Sequence, residues 1–222
     1  MTRGGLFVTG TDTGVGKTVV GCAILRGLRG RGLDVGALKP VETGVGPFGP
    51  ADARALATAS GADDPPEDVC PQAFALPAAP SVAARHEERE VDLAAIDAAL
   101  TRQRVRHEWL LVEGAGGLLV PVAAGVDMAE LARRCGLPLL LVTRATLGTI
   151  NHTRLSLAAV RQRGLELAGV VISHGPEPIS EADAANLAEL RDELGAALLG
   201  EIPSLGPDDA AEKHLDLDRF VP

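Results

Sequence analysis

The sequence predicts an α/β fold with three layers, in which a mostly parallel central sheet of about seven strands lies between layers of helices. Short apolar runs alternate with helical periodicity along the chain, a pattern typical of parallel strands joined by helices. A glycine-rich turn joins the first apolar run to the first helix. With 222 residues, 46% of them hydrophobic, the chain can form one sizeable core. We interpret residues 1–222 as a single domain with a peripheral C-terminal tail over residues 205–222.

The first predicted unit is a strand over residues 6–10, a glycine-rich turn and a helix. The turn ends in Gly16-Lys17-Thr18, and five residues separate Gly10 from Gly16, where the common phosphate-loop motif has about four. Backbone N–H groups of such a turn surround phosphate oxygens, and the helix directs its positive end at them. The order of elements predicts a P-loop NTPase-like fold, with Lys17 on the outer phosphates and the Thr18 hydroxyl on Mg²⁺.

Lys39 ends the second predicted strand, residues 34–38, which follows an amphipathic helix over residues 19–31. Because Pro40 cannot continue a central strand, we expect Lys39 at the carboxyl edge of the sheet. Ligand sites of open α/β sheets lie at that edge. We therefore interpret Lys39 as a functional lysine, with an ordinary solvated lysine as the alternative.

Asp52 follows a loop over residues 43–50 that contains three glycines and two prolines. It precedes a predicted helix over residues 53–59. Two roles stay open for this side chain: an acid in the first turn of the helix, or a metal-associated carboxylate that faces Thr18.

Glu113 ends an apolar run over residues 109–112 and is followed by Gly114-Ala115-Gly116-Gly117. Phosphate-loop proteins place an acid at the end of a buried strand to hold Mg²⁺, directly or through water. Glycines after it allow the backbone to lie close to a ligand. We favour this functional interpretation over an ordinary strand end followed by a turn.

The rest of the chain continues the alternation of strands and helices. Strands are predicted over residues 72–76, 138–143, 168–173 and 197–200. Helices are predicted over residues 91–105, 127–135, 149–162 and 180–194. Residues 83–91 are predicted to be a solvated charged face, and residues 208–218 to be peripheral. Residues 147–152 lie at a strand-to-helix junction, on the same edge as Lys39 and Glu113.

Composition excludes several classes of function. The net charge is −9 and the isoelectric point is about 5, which is unsuited to unaided nucleic-acid binding. With no tyrosine, one tryptophan and four phenylalanines, platforms for base stacking are scarce. We expect no signal peptide and no membrane span. Cys22, Cys70 and Cys135 are far apart and are expected to be free thiols in a reducing cytoplasm.

Three motifs together resemble those of the dethiobiotin synthetase family. They are Gly10-Thr-Asp-Thr-Gly-Val-Gly-Lys-Thr18, Lys39-Pro-Val-Glu-Thr43 and Val112-Glu-Gly-Ala-Gly-Gly117. Later segments of the family are similar to Leu147-Gly-Thr-Ile-Asn-His152 and Leu199-Gly-Glu-Ile-Pro203. The phosphate loop alone is shared with many proteins, so the specificity of the resemblance comes from the other two motifs beside it.

The resemblance implies an ATP-dependent ring closure in biotin synthesis, carried out by a homodimer with a flanked parallel sheet. Such enzymes take 7,8-diaminopelargonate, CO₂ (from bicarbonate) and ATP, with Mg²⁺, and release dethiobiotin, ADP and phosphate. An amine adds to CO₂ to give a carbamate, which attacks the γ-phosphate to give a mixed anhydride. The second amine then displaces phosphate and closes the ring. No step demands a protein nucleophile, so positioning and charge stabilisation are expected to supply most of the rate.

The resemblance also implies roles for individual residues. Lys39 and Lys17 correspond to catalytic positions, and Thr18, Asp52 and Glu113 to Mg²⁺ positions. The positions implied to bind ATP are Gly14, Val15, Gly16, Lys17, Thr18, Val19, Glu113, Gly114, Ala115, Gly116, Ser173, Pro203, Ser204 and Leu205. The positions implied to contact 7,8-diaminopelargonate are Thr11, Lys39, Thr43, Leu147, Gly148 and Asn151, of which the last three meet the substrate's carboxylate across the dimer interface.

Two positions depart from the family pattern. Ser173-His174 stand where many members carry an Asn-Asp pair that reads adenine, and a serine offers one hydroxyl in place of an amide donor and acceptor. Gly14 replaces an acidic residue that is found in some members, which should alter only the local loop.

Two other functions share the same first elements. One is an ATPase switch of the partitioning or iron-protein type, which usually carries an extra lysine early in the phosphate loop. Thr11, Asp12 and Thr13 occupy that region here. The other is a small-molecule kinase with Lys39 as a substrate clamp.

Overall fold

The computed structural model describes residues 4–205 and 209–221. Residues 1–3, 206–208 and 222, which include part of the predicted tail, lie outside the described residues. The strands are β1 (Gly4–Gly10), β2 (Val35–Leu38), β3 (Glu42–Thr43), β4 (Ala73–Phe74), β5 (Trp109–Gly117), β6 (Pro121–Ala123), β7 (Val126–Asp127), β8 (Leu139–Arg144), β9 (Leu167–Ser173) and β10 (Leu198–Ile202). The helices are α1 (Lys17–Gly30), α2 (Ala51–Ser60), α3 (Pro66–Val69), α4 (Pro80–His86), α5 (Leu93–Arg106), α6 (Met128–Cys135), α7 (Thr149–Gln162) and α8 (Glu181–Leu194). Short 3₁₀ turns cover Gly195–Ala197, Ala211–His214 and Leu217–Phe220.

The central sheet has its strands in the order β10-β9-β8-β1-β5-β2, and every neighbouring pair is parallel. The predicted α/β class with a mostly parallel sheet is therefore confirmed. The central sheet of the described chain contains six strands instead of about seven. The difference comes from the strand predicted at residues 72–76, because Ala73–Phe74 pairs with Glu42–Thr43 in a separate small sheet.

Two hydrophobic clusters cover the two faces of this sheet, and successive strand residues alternate between them. Phe7 and Leu110 pack on one face, beneath α5, α6, α7 and α8. Leu6, Val8 and Leu111 pack on the other face, beneath α1 and α2. Both faces of the strands are covered, as a parallel sheet requires, so the strands are apolar on both sides.

Some elements were not predicted from the sequence. The four-residue helix α3 and the β6–β7 hairpin have no counterpart among the predicted elements. The segment predicted as a solvated charged face begins within α4, whose Ala83 and Ala84 are buried. The charged residues of this segment are exposed or half-buried, as predicted, whereas the small apolar residues of the helix face the core.

The C-terminal segment, which the sequence predicts to be peripheral, contributes Ala211, Leu215, Leu217 and Phe220 to the buried core. The Trp109 indole Nε1 donates a hydrogen bond of 2.9 Å to the Phe220 carbonyl oxygen. Leu217 lies so close to Gly27 of α1 that a Cβ added there would be 2.3 Å from the leucine Cδ1. Residues 211–220 therefore cover part of the face of the sheet that carries α1.

Within residues 4–205 and 209–221, no helix combines the length and apolar character that crossing a bilayer requires.

Candidate functional site

The phosphate loop connects β1 to α1 at the carboxyl edge of the sheet. Gly14 and Gly16 have φ angles of 72° and 94°, a left-handed conformation that favours glycine. A Cβ added to Gly16 would lie 2.3 Å from the Ser173 Oγ, so this position has no room for a side chain. The Lys17 Nζ donates to the Asp12 carbonyl oxygen at 3.0 Å, which folds the lysine back over the loop.

Lys39, Asp52 and Glu113 meet beside this loop. The Lys39 Nζ lies 2.5 Å from Glu113 Oε1 and 3.0 Å from Asp52 Oδ2, and it donates to the Gly114 carbonyl oxygen at 3.3 Å. The Thr18 hydroxyl donates to the same Glu113 oxygen at 3.0 Å. Four side chains from four different parts of the chain therefore form one polar cluster at the start of α1.

Lys39 reaches the cluster because β2 ends at Leu38. Pro40 cannot continue the sheet, and the Lys39 N–H bonds to the Val69 carbonyl oxygen at 2.7 Å, outside the central sheet. The lysine is 1% exposed, which is unusual for this residue type unless it is paired.

An irregularity in β5 follows directly after Glu113. Val8 pairs with Glu113 and Gly10 pairs with Gly117, so two more residues of β5 than of β1 lie between these pairs. Such a bulge bends a strand and redirects its side chains. Gly116 has a φ of 65°, and a Cβ on Gly114 would lie 2.9 Å from the Met128 sulfur, which explains why glycine follows the glutamate.

The charges in the cluster are strongly coupled. Burial makes a charged Lys39 costly, but Glu113 and Asp52 outweigh this cost and raise the pKa of Lys39. Burial also opposes ionisation of Asp52, yet Lys39 brings the pKa of Asp52 below its ordinary value. Complete burial raises the pKa of Glu113 even though Lys39 acts against the shift. We infer that Lys39 is protonated, because two carboxylates face it. Burial disfavours the charge on Glu113 more than Lys39 stabilises it, so the pKa of Glu113 is raised.

The pKa of Lys17 is shifted in the opposite direction to that of Lys39. Burial lowers the pKa of Lys17 to about 8, and repulsion from Lys39 adds to the shift despite the nearby Glu113, Asp52 and Asp12. Lys39 therefore disfavours a second positive charge on Lys17, and an anion bound between the two lysines would relieve this repulsion.

The cluster also offers oxygen donors for a hard cation. The second oxygen of Glu113, Oε2, is buried and has no hydrogen-bond partner in the described chain. The Thr18 hydroxyl and the Asp52 carboxylate are the other oxygens at this point. No group of three or more His, Cys, Asp or Glu residues that could hold a metal occurs among residues 4–205 and 209–221. Mg²⁺ suits such a set, because it takes one or two carboxylates and completes its shell with water and phosphate oxygens.

A cavity of about 610 Å³ opens over the loop and the cluster. Its lining contains both lysines together with Thr18, Thr43 and Asp52. It also contains Thr13, Gly14, Gly16, Val19, Glu42, Pro77, Ala78, Ala79, Pro80, Ala115, Gly116 and Val120. The volume is sufficient for a small organic ligand.

A wider cleft of about 1110 Å³ lies at the opposite, amino edge of the sheet, between Gly4, Pro138 and Phe220. We place the candidate site at the smaller cavity, because the two buried lysines and the left-handed Gly14 and Gly16 line it.

The other predicted substrate positions lie at the same sheet edge. Thr11 Oγ1 is 3.4 Å from Thr143 Oγ1, and the Thr11 N–H bonds to the Val142 carbonyl oxygen. Gly148 precedes α7 with a φ of 93°. Leu147 is 76% exposed and Asn151 is exposed, so neither is enclosed by this chain.

The segment predicted to contact the nucleotide base lies across the loop from Lys39. Ser173 is buried against Gly16. Pro203 and Leu205 are half-buried, whereas Ser204 is exposed and donates to the Pro176 carbonyl oxygen at 3.4 Å.

A network of three polar side chains next to this segment was not predicted from the sequence. His174 Nε2 lies 2.6 Å from Glu201 Oε1, and Arg191 donates to both oxygens of Glu201 at 2.7 Å. Arg191 holds the pKa of Glu201 below its ordinary value, with a smaller contribution from His174. In the sequence, only the glutamate of Leu199-Gly-Glu-Ile-Pro203 indicated a polar contact here. Its partners, His174 and Arg191, are distant in the sequence and could not be identified from it.

Glu42 was also missed as a member of the site. It lies inside the Lys39–Thr43 motif, is 6% exposed, and lines the cavity. Nothing local in the sequence shows which groups its carboxylate contacts.

Solved structures with the same fold include nucleotide-dependent ATPases. The septum site-determining protein MinD of Pyrococcus horikoshii, complexed with Mg-ADP, has a TM-score of 0.53 at 17% identity, over 99% of this chain and 95% of that one. The cell division ATPase MinD of Pyrococcus furiosus has a TM-score of 0.52 at 18% identity, over 98% and 97%. At these identities the likeness shows the fold alone.

Comparison with relatives in sequence identifies the family, which the shared fold alone does not. A family profile described as an AAA domain matches residues 4–211. ATP-dependent dethiobiotin synthetase BioD of Anaeromyxobacter dehalogenans (strain 2CP-C) is 49% identical over 204 residues, covering 90% of this chain and 92% of that protein. The protein of the same name from Thermodesulfovibrio yellowstonii is 39% identical over 237 residues, covering 99% of both. With such identities over nine-tenths or more of its length, the chain belongs to the family of ATP-dependent dethiobiotin synthetases.

Proposed function

We propose that this enzyme joins 7,8-diaminopelargonate and CO₂ at the expense of ATP and closes the ureido ring of dethiobiotin. The observation that carries the proposal is the contact of Lys39 with Glu113, which also accepts a hydrogen bond from Thr18 of the phosphate loop. Glu113 thereby links the buried ammonium group of Lys39 to the phosphate-binding turn. That arrangement suits a reaction in which a small anion attacks a terminal phosphate.

The chemistry needs two anions to approach each other. An amine of the substrate adds to CO₂ and loses a proton, which gives a carbamate. The carbamate oxygen attacks the γ-phosphorus of ATP, ADP leaves, and a carbamic–phosphoric anhydride forms. The second amine attacks the carbonyl carbon, phosphate leaves, and the ring closes with loss of a proton. Protonated Lys39 would stabilise the carbamate and the transferred phosphoryl group, while Lys17 and the N–H groups of residues 14–19 would hold the phosphates.

Mg²⁺ would be held by Thr18, Asp52 and Glu113, with phosphate oxygens and water. When bound, it would neutralise charge on the phosphates of ATP. The unpartnered Glu113 Oε2 supports this assignment, because a buried carboxylate oxygen without a donor is costly unless a ligand completes it.

The substrate and the base would lie on opposite sides of the phosphates. Thr11, Thr43, Leu147, Gly148 and Asn151 are proposed to contact 7,8-diaminopelargonate. The N-terminus of α7 is a suitable host for the substrate's carboxylate. Gly114, Ala115, Gly116, Ser173, Pro203, Ser204 and Leu205 are proposed to contact the nucleotide.

We propose a homodimer in which α7 contributes to the interface. Leu147 and Leu155 are 76% and 61% exposed, and a second copy would cover these side chains. The three cysteines are unpaired, as expected in the reducing cytoplasm where we place the enzyme.

Turnover by purified protein tests this function. ADP release is expected to require both 7,8-diaminopelargonate and bicarbonate, and mass spectrometry should detect dethiobiotin as the product. Turnover with neither compound, stimulated by a protein partner, would favour an ATPase switch instead. Phosphate retained on a small molecule would favour a kinase.

A further inference from the structure

Glu42 holds the start of α2 from a different element. Its Oε1 accepts a hydrogen bond of 3.0 Å from the Asp52 N–H, and its Oε2 accepts one of 2.9 Å from the Ala53 N–H. Both carboxylate oxygens are thus used on consecutive backbone donors, and the side chain is buried.

This clamp replaces a cap that the helix itself lacks. Pro50 occupies the N-cap position of α2 and makes no side-chain hydrogen bond to the first turn. The first N–H groups of a helix have no partner within it, and a carboxylate at that end also interacts favourably with the helix dipole. Glu42 supplies both effects from β3.

The anchor of the clamp is close to Lys39 in the chain. The Glu42 N–H bonds to the Gln72 carbonyl oxygen at 2.9 Å, which fixes its backbone three residues after Lys39. The carboxylate joins the first turn of α2 to the segment that carries the lysine, and so connects the two ends of the glycine-rich loop at residues 43–50. Asp52 is the second residue of that turn, and its side chain is 44% exposed.

We propose that Glu42 is a positioning residue that holds Asp52 in place as a partner of Lys39 and as a ligand of the divalent cation. The inference rests on the proposed function, because it takes Asp52 as part of the Mg²⁺ site. Groups that orient a metal ligand commonly change metal affinity by about 10- to 100-fold when removed. Without Glu42, the first turn of α2 loses two hydrogen bonds and the carboxylate of Asp52 loses its fixed position.

Glu42→Ala and Asp92→Ala form a matched pair for the test. Asp92 caps α5 by accepting from the Ala95 N–H at 3.0 Å, and it does not line the cavity. Each substitution removes a carboxylate from the start of a helix. Binding of Mn²⁺ in the presence of ADP, followed by electron paramagnetic resonance, should weaken about tenfold in Glu42→Ala and stay unchanged in Asp92→Ala. Equal Mn²⁺ affinity in wild type and Glu42→Ala would overturn the proposal.

Glu42→Gln serves if the alanine variant fails to fold. Its amide keeps one acceptor oxygen but turns an NH₂ donor towards a backbone N–H, so a partial loss of Mn²⁺ affinity is expected. Wild-type affinity in this soluble variant would also count against the proposal.

A double-mutant cycle separates positioning from a merely structural role. In the Asp52→Asn background, Glu42→Ala should cause no further loss of Mn²⁺ affinity, because Glu42 acts through Asp52. A full additional loss would contradict the proposal. If wild type binds no Mn²⁺ with ADP, the metal site of the proposed function fails. Hydrogen exchange at residues 52–53, expected to accelerate in Glu42→Ala, then decides whether Glu42 holds the helix start.

Discussion

The Lys39 ammonium lies 2.5 Å from the Glu113 carboxylate, although 74 positions separate the two residues in the chain. Both side chains are buried, at 1% and 0% exposure. Neither charge would be stable there alone, and the pair leaves one Glu113 oxygen without a partner. The stability of each buried charge therefore depends on the presence of the other.

Lys39→Met should abolish ring closure and also destabilise the fold. Methionine keeps much of the side-chain volume, but it leaves Glu113 buried without its cation. Removal of one partner of a buried pair costs about 3–5 kcal/mol in the free energy of unfolding. Urea unfolding at neutral pH measures this loss, and dethiobiotin formation should fall at least about 100-fold.

The double variant Lys39→Met, Glu113→Gln separates the two effects. Neutral glutamine needs no cation, so much of the lost stability should return while ring closure stays absent. A single Lys39→Met variant as stable as wild type would show that the buried pair is not coupled as described.

Gly16→Ala should disrupt the phosphate loop. The new methyl group would lie 2.3 Å from Ser173 Oγ, and the backbone φ of 94° is strained for alanine. We expect a loss of about 2–4 kcal/mol in unfolding free energy and weak nucleotide binding. Gly14→Ala is the control, because its Cβ meets open space and only the strain of the φ angle remains, about 1 kcal/mol. Equal losses in the two variants would contradict the steric explanation, and Ser173→Gly should partly rescue Gly16→Ala.

Nucleotide binding above neutral pH should take up a proton through Lys17. Its pKa is lowered to about 8 in the free protein, and bound phosphates would raise it again. The terminal phosphate has lost its second proton well below pH 8, so it does not obscure the effect. Calorimetry at pH 8.5 in buffers of different ionisation enthalpy measures the uptake. Lys17→Arg should show none, since arginine stays charged; an equal uptake in this variant would exclude Lys17 as the source.

The same shift has a defined effect on stability. The folded protein binds the Lys17 proton less tightly than the unfolded chain, whose ordinary pKa is 10.5. The unfolded state therefore carries more protons between about pH 8 and 10.5. The Lys17 contribution to unfolding free energy should increase with pH across that window.

Leu217→Ala should destabilise the protein although Leu217 does not line the cavity of the candidate site. Leu217 is 6% exposed and packs on Gly27 of α1. Loss of a buried leucine side chain costs about 2–5 kcal/mol. Asp218→Ala, next in sequence, removes only an exposed ion pair with Arg31 and should have little effect. Denaturant unfolding of both variants checks this, and equal stability of the two would show that the C-terminal segment does not support the core.

From the sequence, Lys17, Lys39 and Glu113 could be predicted to lie at one edge of the sheet, because each comes after an apolar run and the carboxyl ends of parallel strands share that edge. Asp52 left two roles open, and the structure places it both in the first turn of α2 and against Lys39. The metal role remains a proposal.

The missing parts depend on contacts between distant segments. The hydrogen bonds of Glu42 to α2 correspond to no local sequence pattern. The same is true of the side-chain network that links Arg191 through Glu201 to His174. The four residues of α3 are too few to show helical periodicity. Leu217 is buried because it packs on Gly27, almost two hundred positions earlier in the chain. A few apolar residues in a mostly polar C-terminal segment do not reveal such a contact.

Transfer of a carbamate oxygen to phosphate tests the central claim, that a CO₂-derived anion meets the γ-phosphate in this pocket. The reaction is run briefly with ¹⁸O-labelled bicarbonate, ATP and 7,8-diaminopelargonate, and both products are analysed by mass spectrometry. We predict one labelled oxygen in the released phosphate and one in the ring carbonyl of dethiobiotin. Unlabelled phosphate formed together with dethiobiotin would contradict the account.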